Sequence, residues 1–158
     1  MRFLYLVSGQ AGSGVHETLC LLRDVYRLRA SPCVYPGDPF DPAETKPEIW
    51  RVNPAALAAL RCFPPRGLKP YRVIYLCRPA YEREKELREA GIPFSIALRH
   101  LARDLYAYRG WEAQSDLILR GEPPRSCAMR LYDYILRSEG RPAENEPPSG
   151  FLEGTHIY

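Results

Sequence analysis

The 158-residue chain lacks any apolar run long enough to span a bilayer, and its N-terminal apolar stretch is soon interrupted by glycines. That stretch is too short for a secretory signal peptide, so we expect no membrane association. The five cysteines are scattered, odd in number and without C-x-x-C spacing. This pattern is typical of free thiols in a reducing compartment, rather than of a disulfide framework or a zinc site, and predicts a cytoplasmic protein.

A strong excess of either charge is also missing. The 22 basic and 19 acidic side chains leave a net charge of +3, which is too small to predict nucleic-acid binding, although basic side chains can still gather in one cleft. A hydrophobic content of 46% and a charged content of 26% are those of a globular protein. The length suits one domain with a substantial core.

Short β-rich runs alternate with amphipathic helical patterns over residues 1–140, and a Pro- and Glu-rich tail follows over 141–158. This order predicts a single α/β domain with a mostly parallel sheet and helices on both faces. Residues 36–48 are rich in proline and are expected to be irregular. We predict strands over 2–8, 33–35, 71–77 and 115–119, and helices over 15–29, 53–63, 79–90, 94–108 and 125–138.

The most informative segment is the glycine-rich turn between the first strand and the first helix. Gly9 and Gly14 have the spacing of the phosphate-binding pattern G-x-x-x-x-G-K-[ST], in which backbone amides at a helix start face an anion. The lysine position of that pattern holds Val15, and the Ser/Thr position holds His16. Thr18 offers a hydroxyl about one turn further along. The pattern therefore lacks the two side chains most directly tied to phosphoryl transfer.

The glycines of this turn can supply a cradle of amides, because glycine permits close approach and positive φ. Val15 cannot bridge two phosphates, and His16 is a poor magnesium ligand because Mg²⁺ prefers hard oxygens. Protonated His16 can contact a phosphate, or it can simply face solvent. The alternative for the whole turn is a tight strand-to-helix connection without a ligand. The candidate phosphate-binding residues are Gly9, Gly12, Ser13, Gly14, Val15, His16 and Thr18.

The second half of the chain adds a pattern of strands and arginine-bearing helices. A strand that ends in an arginine lies at 72–79 (RVIYLCRP) and is followed by a charged helix at 82–91. A second helix, which carries arginines, lies at 97–104 (ALRHLARD), and a final strand lies at 115–119 (SDLIL). Together with the glycine turn, this order resembles the P-loop nucleoside-monophosphate kinases, in particular the guanylate-kinase-like and deoxynucleotide-kinase-like branches. The resemblance does not extend to residues 36–70.

The resemblance implies a three-layer P-loop domain and, if the protein is active, phosphoryl transfer from ATP, with Mg²⁺, to a nucleotide. It places Arg99 and Arg103 over the phosphates, where arginines stabilise the charge on the transferred group. Their i, i+4 spacing puts both on one helix face, where they either clamp an anion or form a solvated surface. On the preceding helix Arg83, Lys85 and Arg88 alternate with glutamates, so we expect a solvated face there.

Two functions from different classes stay open. One is a nucleotide-kinase-like phosphotransferase in which arginines replace the loop lysine. The other is a catalytically degenerate module that binds a nucleotide or another phosphate-bearing small molecule and serves in protein interaction. The intact glycines and the arginines favour the first, whereas Val15, His16 and the missing magnesium carboxylate favour the second. Nucleic acid is not an expected partner, because acidic side chains alternate with the basic ones.

Overall fold

A computed structural model of the protein describes residues 1–38 and 47–140. The tail over 141–158 and part of the proline-rich segment lie outside the described residues. The elements are β1 (Leu4–Gly9), α1 (Val15–Tyr26), β2 (Ile49–Arg51), α2 (Pro54–Cys62), β3 (Tyr71–Cys77), α3 (Ala80–Glu89), α4 (Phe94–Ala107), α5 (Trp111–Gln114), β4 (Leu117–Arg120) and α6 (Pro124–Ser138). Across both described ranges, no helix is long and apolar enough to cross a membrane.

The four strands form one parallel sheet in the order β2-β1-β3-β4. Tyr5 of β1 lies opposite Ile49 on one side and Arg72 on the other. The chain runs from β1 to β2 on one side and then adds later strands on the other, so the topological switch point lies between β1 and β3. Sheets of this kind bind ligands at the carboxyl ends of their strands beside the switch point. The glycine turn after β1 and the residues after β3 lie at that edge.

Helices cover both faces of the sheet. On one face α1 and α6 enclose a core that includes Tyr5, Ile74 and Leu131. On the other face Leu57 of α2 and Trp111 of α5 pack against the sheet. The predicted α/β class, with a parallel sheet between two helical layers, is therefore confirmed.

Most predicted elements are present. The errors are a short strand that is absent and a helix that ends earlier than predicted. The helix predicted from residue 53 begins as expected, because the Asn53 side chain accepts a hydrogen bond from the Ala55 amide and Pro54 occupies the first turn. The strand predicted over 33–35 is wrong, since only an isolated bridge joins Val34 to Val52. The helix predicted to residue 29 ends at Tyr26, because Arg27 adopts a left-handed conformation with φ 61°.

Helix α3 packs directly on the glycine turn. Gly12 has φ 79°, and a Cβ added there would lie 2.8 Å from the carbonyl oxygen of Arg83. Glycine is therefore required at this position by the backbone conformation and by the close approach of α3.

Gly12→Ala should destabilise the protein more than Gly67→Ala. Gly67 has a similar φ of 74° but no atom within 4 Å of an added Cβ, so it controls for the conformational cost alone. The clash with α3 should add about 1–3 kcal/mol to the loss at Gly12. Urea unfolding of both variants measures the difference in the free energy of unfolding, and equal losses would contradict the close packing of α3 on the turn.

Candidate phosphate-binding site

The glycine loop, residues 9–14, turns into α1 at Gly14. Gly14 is the N-cap of α1 with φ 78° and contributes no side-chain cap. The first backbone hydrogen bond of the helix runs from the Thr18 amide to the Gly14 carbonyl at 3.0 Å, so the first three amides of α1 have no acceptor within the helix. These amides and the helix dipole together favour an anion at this end of α1.

Three amides of the loop already donate hydrogen bonds within the protein. The Gln10 amide donates to the Leu76 carbonyl at 3.3 Å, and the Ser13 amide donates to the Gln10 carbonyl at 3.0 Å. The Ala11 amide donates to Asp104 Oδ2 at 2.8 Å. The predicted cradle is therefore narrower than the whole loop and is concentrated at the start of α1. Ser13, a candidate phosphate-binding residue, is itself buried.

The side chains that differ from the phosphate-binding pattern, and the nearby Thr18, lie in different environments. Val15 is only 6% exposed and packs in the core. A Cβ added to Gly9 would clash with Val15 Cγ2, so Gly9 is needed to make room for Val15. His16 is exposed, and its Nε2 lies 3.6 Å from the Cys20 sulfur. Thr18 is fully buried, so its hydroxyl does not reach the surface of the loop.

Two side chains one turn apart, Asp104 of α4 and Tyr108 at the C-cap of that helix, hold the first half of the loop. Asp104 accepts the Ala11 amide, and the Tyr108 hydroxyl donates to the Gly9 carbonyl at 2.8 Å. The same hydroxyl lies 2.7 Å from Ser8 Oγ. Burial raises the pKa of Tyr108 to about 12, so the hydroxyl keeps its proton and remains a donor at neutral pH.

A buried ion pair joins α3 to α4 beside the loop. Arg83 and Asp104 are each 3% exposed, and Arg83 Nη1 lies 3.3 Å from Asp104 Oδ2. Arg83 Nε also donates to the Arg78 carbonyl at 3.1 Å. Asp104 thus receives hydrogen bonds from both the loop and α3, which gives this buried carboxylate the partners it needs.

The solvated face predicted for α3 is correct at two of its three basic positions. Lys85 and Arg88 are exposed and form i, i+4 pairs with Glu89 and Glu84. The prediction for Arg83 is wrong, because α4 brings a buried carboxylate to it. The sequence carried one signal for a buried partner, because Asp104 lies on the same inward face of α4 as Ala97, and a carboxylate there needs a counter-charge.

A cleft of about 620 Å³ opens beside the loop, at the carboxyl ends of β1 and β2 and next to α4. Among the described residues, Asp104 is the one acidic side chain that lines it, and Arg83 already balances its charge. Guanidinium groups suit phosphate or carboxylate, and aromatic faces suit a planar ring. The cationic and aromatic side chains of the lining are Arg51, Arg103, Arg109, Tyr35, Tyr108 and Trp111.

The two arginines predicted to act on phosphates lie on the exposed part of α4. Arg103 lines the cleft, and its Nε lies 3.7 Å from Asp104 Oδ1. Arg99 is exposed and does not line the cleft. Their roles stay predictions. Arg51, which sequence reasoning missed because the kinase resemblance does not reach residues 36–70, contributes a further cation.

The residues beside the loop fit a phosphate group better than a magnesium ion. His16 stands where a hydroxyl would be needed, Thr18 is buried, and Asp104 is engaged by Arg83 and the Ala11 amide. In the two described ranges, no three or more His, Cys, Asp and Glu residues cluster so that they could hold a metal ion. Magnesium prefers oxygen ligands in a near-octahedral arrangement, so these side chains do not fit the Mg²⁺ that the resemblance implies.

Asp104→Asn should cost about 3–5 kcal/mol of unfolding free energy, because it leaves the Arg83 guanidinium buried without a counter-charge. The double variant Arg83→Met/Asp104→Leu should recover much of this loss, since it removes both charges together. Urea unfolding in a double-mutant cycle measures the coupling. Glu112→Gln, which breaks an exposed pair with Arg120, serves as control and should change little. A similar small effect of Asp104→Asn would refute the importance of the buried pair.

Tyr108 should make stability depend on alkaline pH. Its pKa is about 12 in the folded protein and about 10 in the unfolded chain. Between pH ~10 and ~12 the folded state therefore keeps a proton that the unfolded state loses. The contribution of Tyr108 to the free energy of unfolding is complete below pH ~10 and falls as the pH rises toward ~12. Tyr108→Phe should lose about 1 kcal/mol at neutral pH and decline less steeply above pH ~10.

Urea unfolding at a series of pH values tests this dependence, with Tyr106→Phe as the control because Tyr106 is exposed. Identical alkaline slopes for wild type and Tyr108→Phe would show that Tyr108 does not titrate in this way.

The fold occurs in solved structures of low sequence identity. An uncharacterized protein from Eubacterium ventriosum matches with a TM-score of 0.55 and 12% identity, over 85% of this chain and 98% of its own. An unliganded structure named a sugar kinase, from a Janibacter species, matches with a TM-score of 0.53 and 14% identity, over 91% of this chain and 100% of its own. No protein-family profile and no curated protein sequence matches the chain. The protein therefore has an α/β fold shared with a protein named a kinase.

Proposed function

We propose that the protein is a nucleotide-kinase-like phosphotransferase that transfers a phosphoryl group from ATP to a nucleotide. One observation carries this proposal: the start of α1, where the first three amides have no acceptor within the helix, and the arginine-lined cleft lie at the same carboxyl edge of the sheet. Phosphoryl transfer depends on positioning and on neutralising charge, which backbone amides and arginines provide.

The donor and the acceptor take different parts of this edge. A phosphate group of ATP would bind at the free amides of α1, beyond Gly14. The acceptor nucleotide would occupy the cleft, with its phosphate near Arg51 and Arg103 and its base against Tyr35 or Trp111, which line the same cleft. The side chains of this chain contribute charge neutralisation as guanidinium groups.

Asp104 pairs with Arg103, one of the arginines that line the cleft. Its Oδ2 is held by Arg83 and the Ala11 amide, and its Oδ1 lies 3.7 Å from Arg103 Nε. The carboxylate thus connects the loop with the guanidinium that would meet the transferred group. Such an arrangement lowers the cost of orienting a long side chain at the moment of reaction.

The second candidate function is a catalytically degenerate module that binds a nucleotide or phosphate without transferring it. The burial of Val15 and Thr18 favours it, because neither the lysine nor the hydroxyl of a phosphate-transferring loop has an equivalent on α1 itself.

Arg103→Ala should lower phosphotransferase activity by roughly a hundred- to a thousand-fold, because it removes a charge donor from the cleft. Arg99→Ala should lower the activity less, because Arg99 is exposed and does not line the cleft. A coupled assay with ATP and each common nucleoside monophosphate measures this. Arg88→Ala, on the exposed face of α3, is the matched control and should keep wild-type activity. The wild type itself should turn over slowly, since its loop lacks the lysine.

Brisk wild-type turnover that survives Arg103→Ala would refute the role of this arginine. Absent turnover, together with a nucleotide-dependent rise in melting temperature, would favour the binding module. Absent turnover without any such rise would contradict both functions.

A further inference from the structure

We propose that Arg78 supplies, from the end of β3, the positive charge that phosphate-binding loops carry on the lysine replaced here by Val15. The inference rests on the proposed function, to which it adds the residue that holds the phosphate group. The sequence places Arg78 immediately after β3, on the other side of the topological switch point from the loop.

The guanidinium of Arg78 is fixed against the loop. The side chain is 9% exposed. Its Nη2 donates to the Glu122 carbonyl at 3.0 Å and its Nη1 to the Gly12 carbonyl at 3.4 Å. A Cβ added to Gly14 would lie 3.1 Å from Arg78 Nη2. The cation therefore lies beside the N-cap residue of α1, where the unused amides of the helix begin.

A cation at this place is electrostatically unfavourable unless an anion accompanies it. The start of a helix carries a partial positive charge, which repels a guanidinium. The two hydrogen-bond acceptors of Arg78 are neutral carbonyls. The carboxylate that pairs with it, Glu86, lies 3.7 Å away and is 55% exposed, so water weakens its contribution.

A phosphate group between Arg78 and the start of α1 would remove this repulsion. The guanidinium has five donors, and its two hydrogen bonds to carbonyls leave others for a ligand. The amides of α1 supply the opposite wall of the site. The ligand is therefore a phosphate or pyrophosphate group, either free or at the end of a nucleoside triphosphate.

The environment of Val15 explains why the charge comes from another strand. Val15 packs in the core against Gly9, so position 15 of this loop points inward. A lysine there would lose its hydration or would have to displace the packing around it. Arg78 reaches the adjacent residue, Gly14, without disturbing the core.

Isothermal titration with inorganic pyrophosphate and with ATP tests the inference on the full chain. Arg78→Gln should weaken the binding of both ligands by roughly ten- to a hundred-fold. Arg78→Lys should lose less, because it keeps the charge but not the fork of donors. Arg120→Gln, which removes an exposed arginine paired with Glu112, should bind like the wild type. Weakening for ATP alone would show that Arg78 does not bind the phosphate group.

The comparison of Arg78→Lys with Arg78→Gln separates binding from a merely structural role of Arg78, because only the lysine keeps the charge. Both variants lose the planar guanidinium that bonds to the carbonyl oxygens of Gly12 and Glu122, and their melting temperatures show whether each one folds. Equal pyrophosphate affinity of wild type and Arg78→Gln would overturn the inference and leave the proposed function in place. Failure of the wild type to bind either ligand would overturn both.

Discussion

The ion pair between Arg83 and Asp104 is the contact on which the arrangement of the site depends. Two charges that are almost wholly buried lose their hydration, and only their mutual attraction and further hydrogen bonds offset that cost. Asp104 completes its set of partners with the Ala11 amide, and Arg83 with the Arg78 carbonyl. The pair therefore holds α3, α4 and the loop in one relative position. Removing either charge would weaken the contacts that connect all three segments.

This arrangement divides the loop into two halves with different chemistry. The first half is tied to α4 through Ala11 and through Tyr108, which donates to the Gly9 carbonyl. The second half, beyond Gly12, leads into the start of α1, whose first three amides have no acceptor within the helix, and lies against the Arg78 guanidinium. In the first half the Asp104 carboxylate accepts the Ala11 amide. In the second half the helix start and the Arg78 guanidinium together leave a local excess of positive charge, which suits an anion.

The fold alone leaves the function open, because one α/β scaffold supports many chemistries. Its contribution is geometric: parallel strands bring the loop after β1, the arginine after β3 and the cleft beside β2 to the same edge of the sheet. The guanidinium groups of Arg51, Arg78 and Arg103 reach that edge from separate elements. Guanidinium groups gathered at one edge in this way present the forked donors that suit a phosphate or carboxylate group.

The sequence by itself determined the layers of the fold and the position of the glycine loop, because apolar periodicity, the Asn53-Pro54 helix start and the glycine spacing are local signals. It did not reveal β2, because three residues are too few to show an alternating pattern and the strand is identified only by its pairing with β1. It also did not distinguish Arg83 from Arg88, since both alternate with glutamates on α3. Only the tertiary structure decided which arginine is buried and which faces the loop, because the free energy of a buried charge depends on partners that are distant along the chain, as Asp104 is from Arg83.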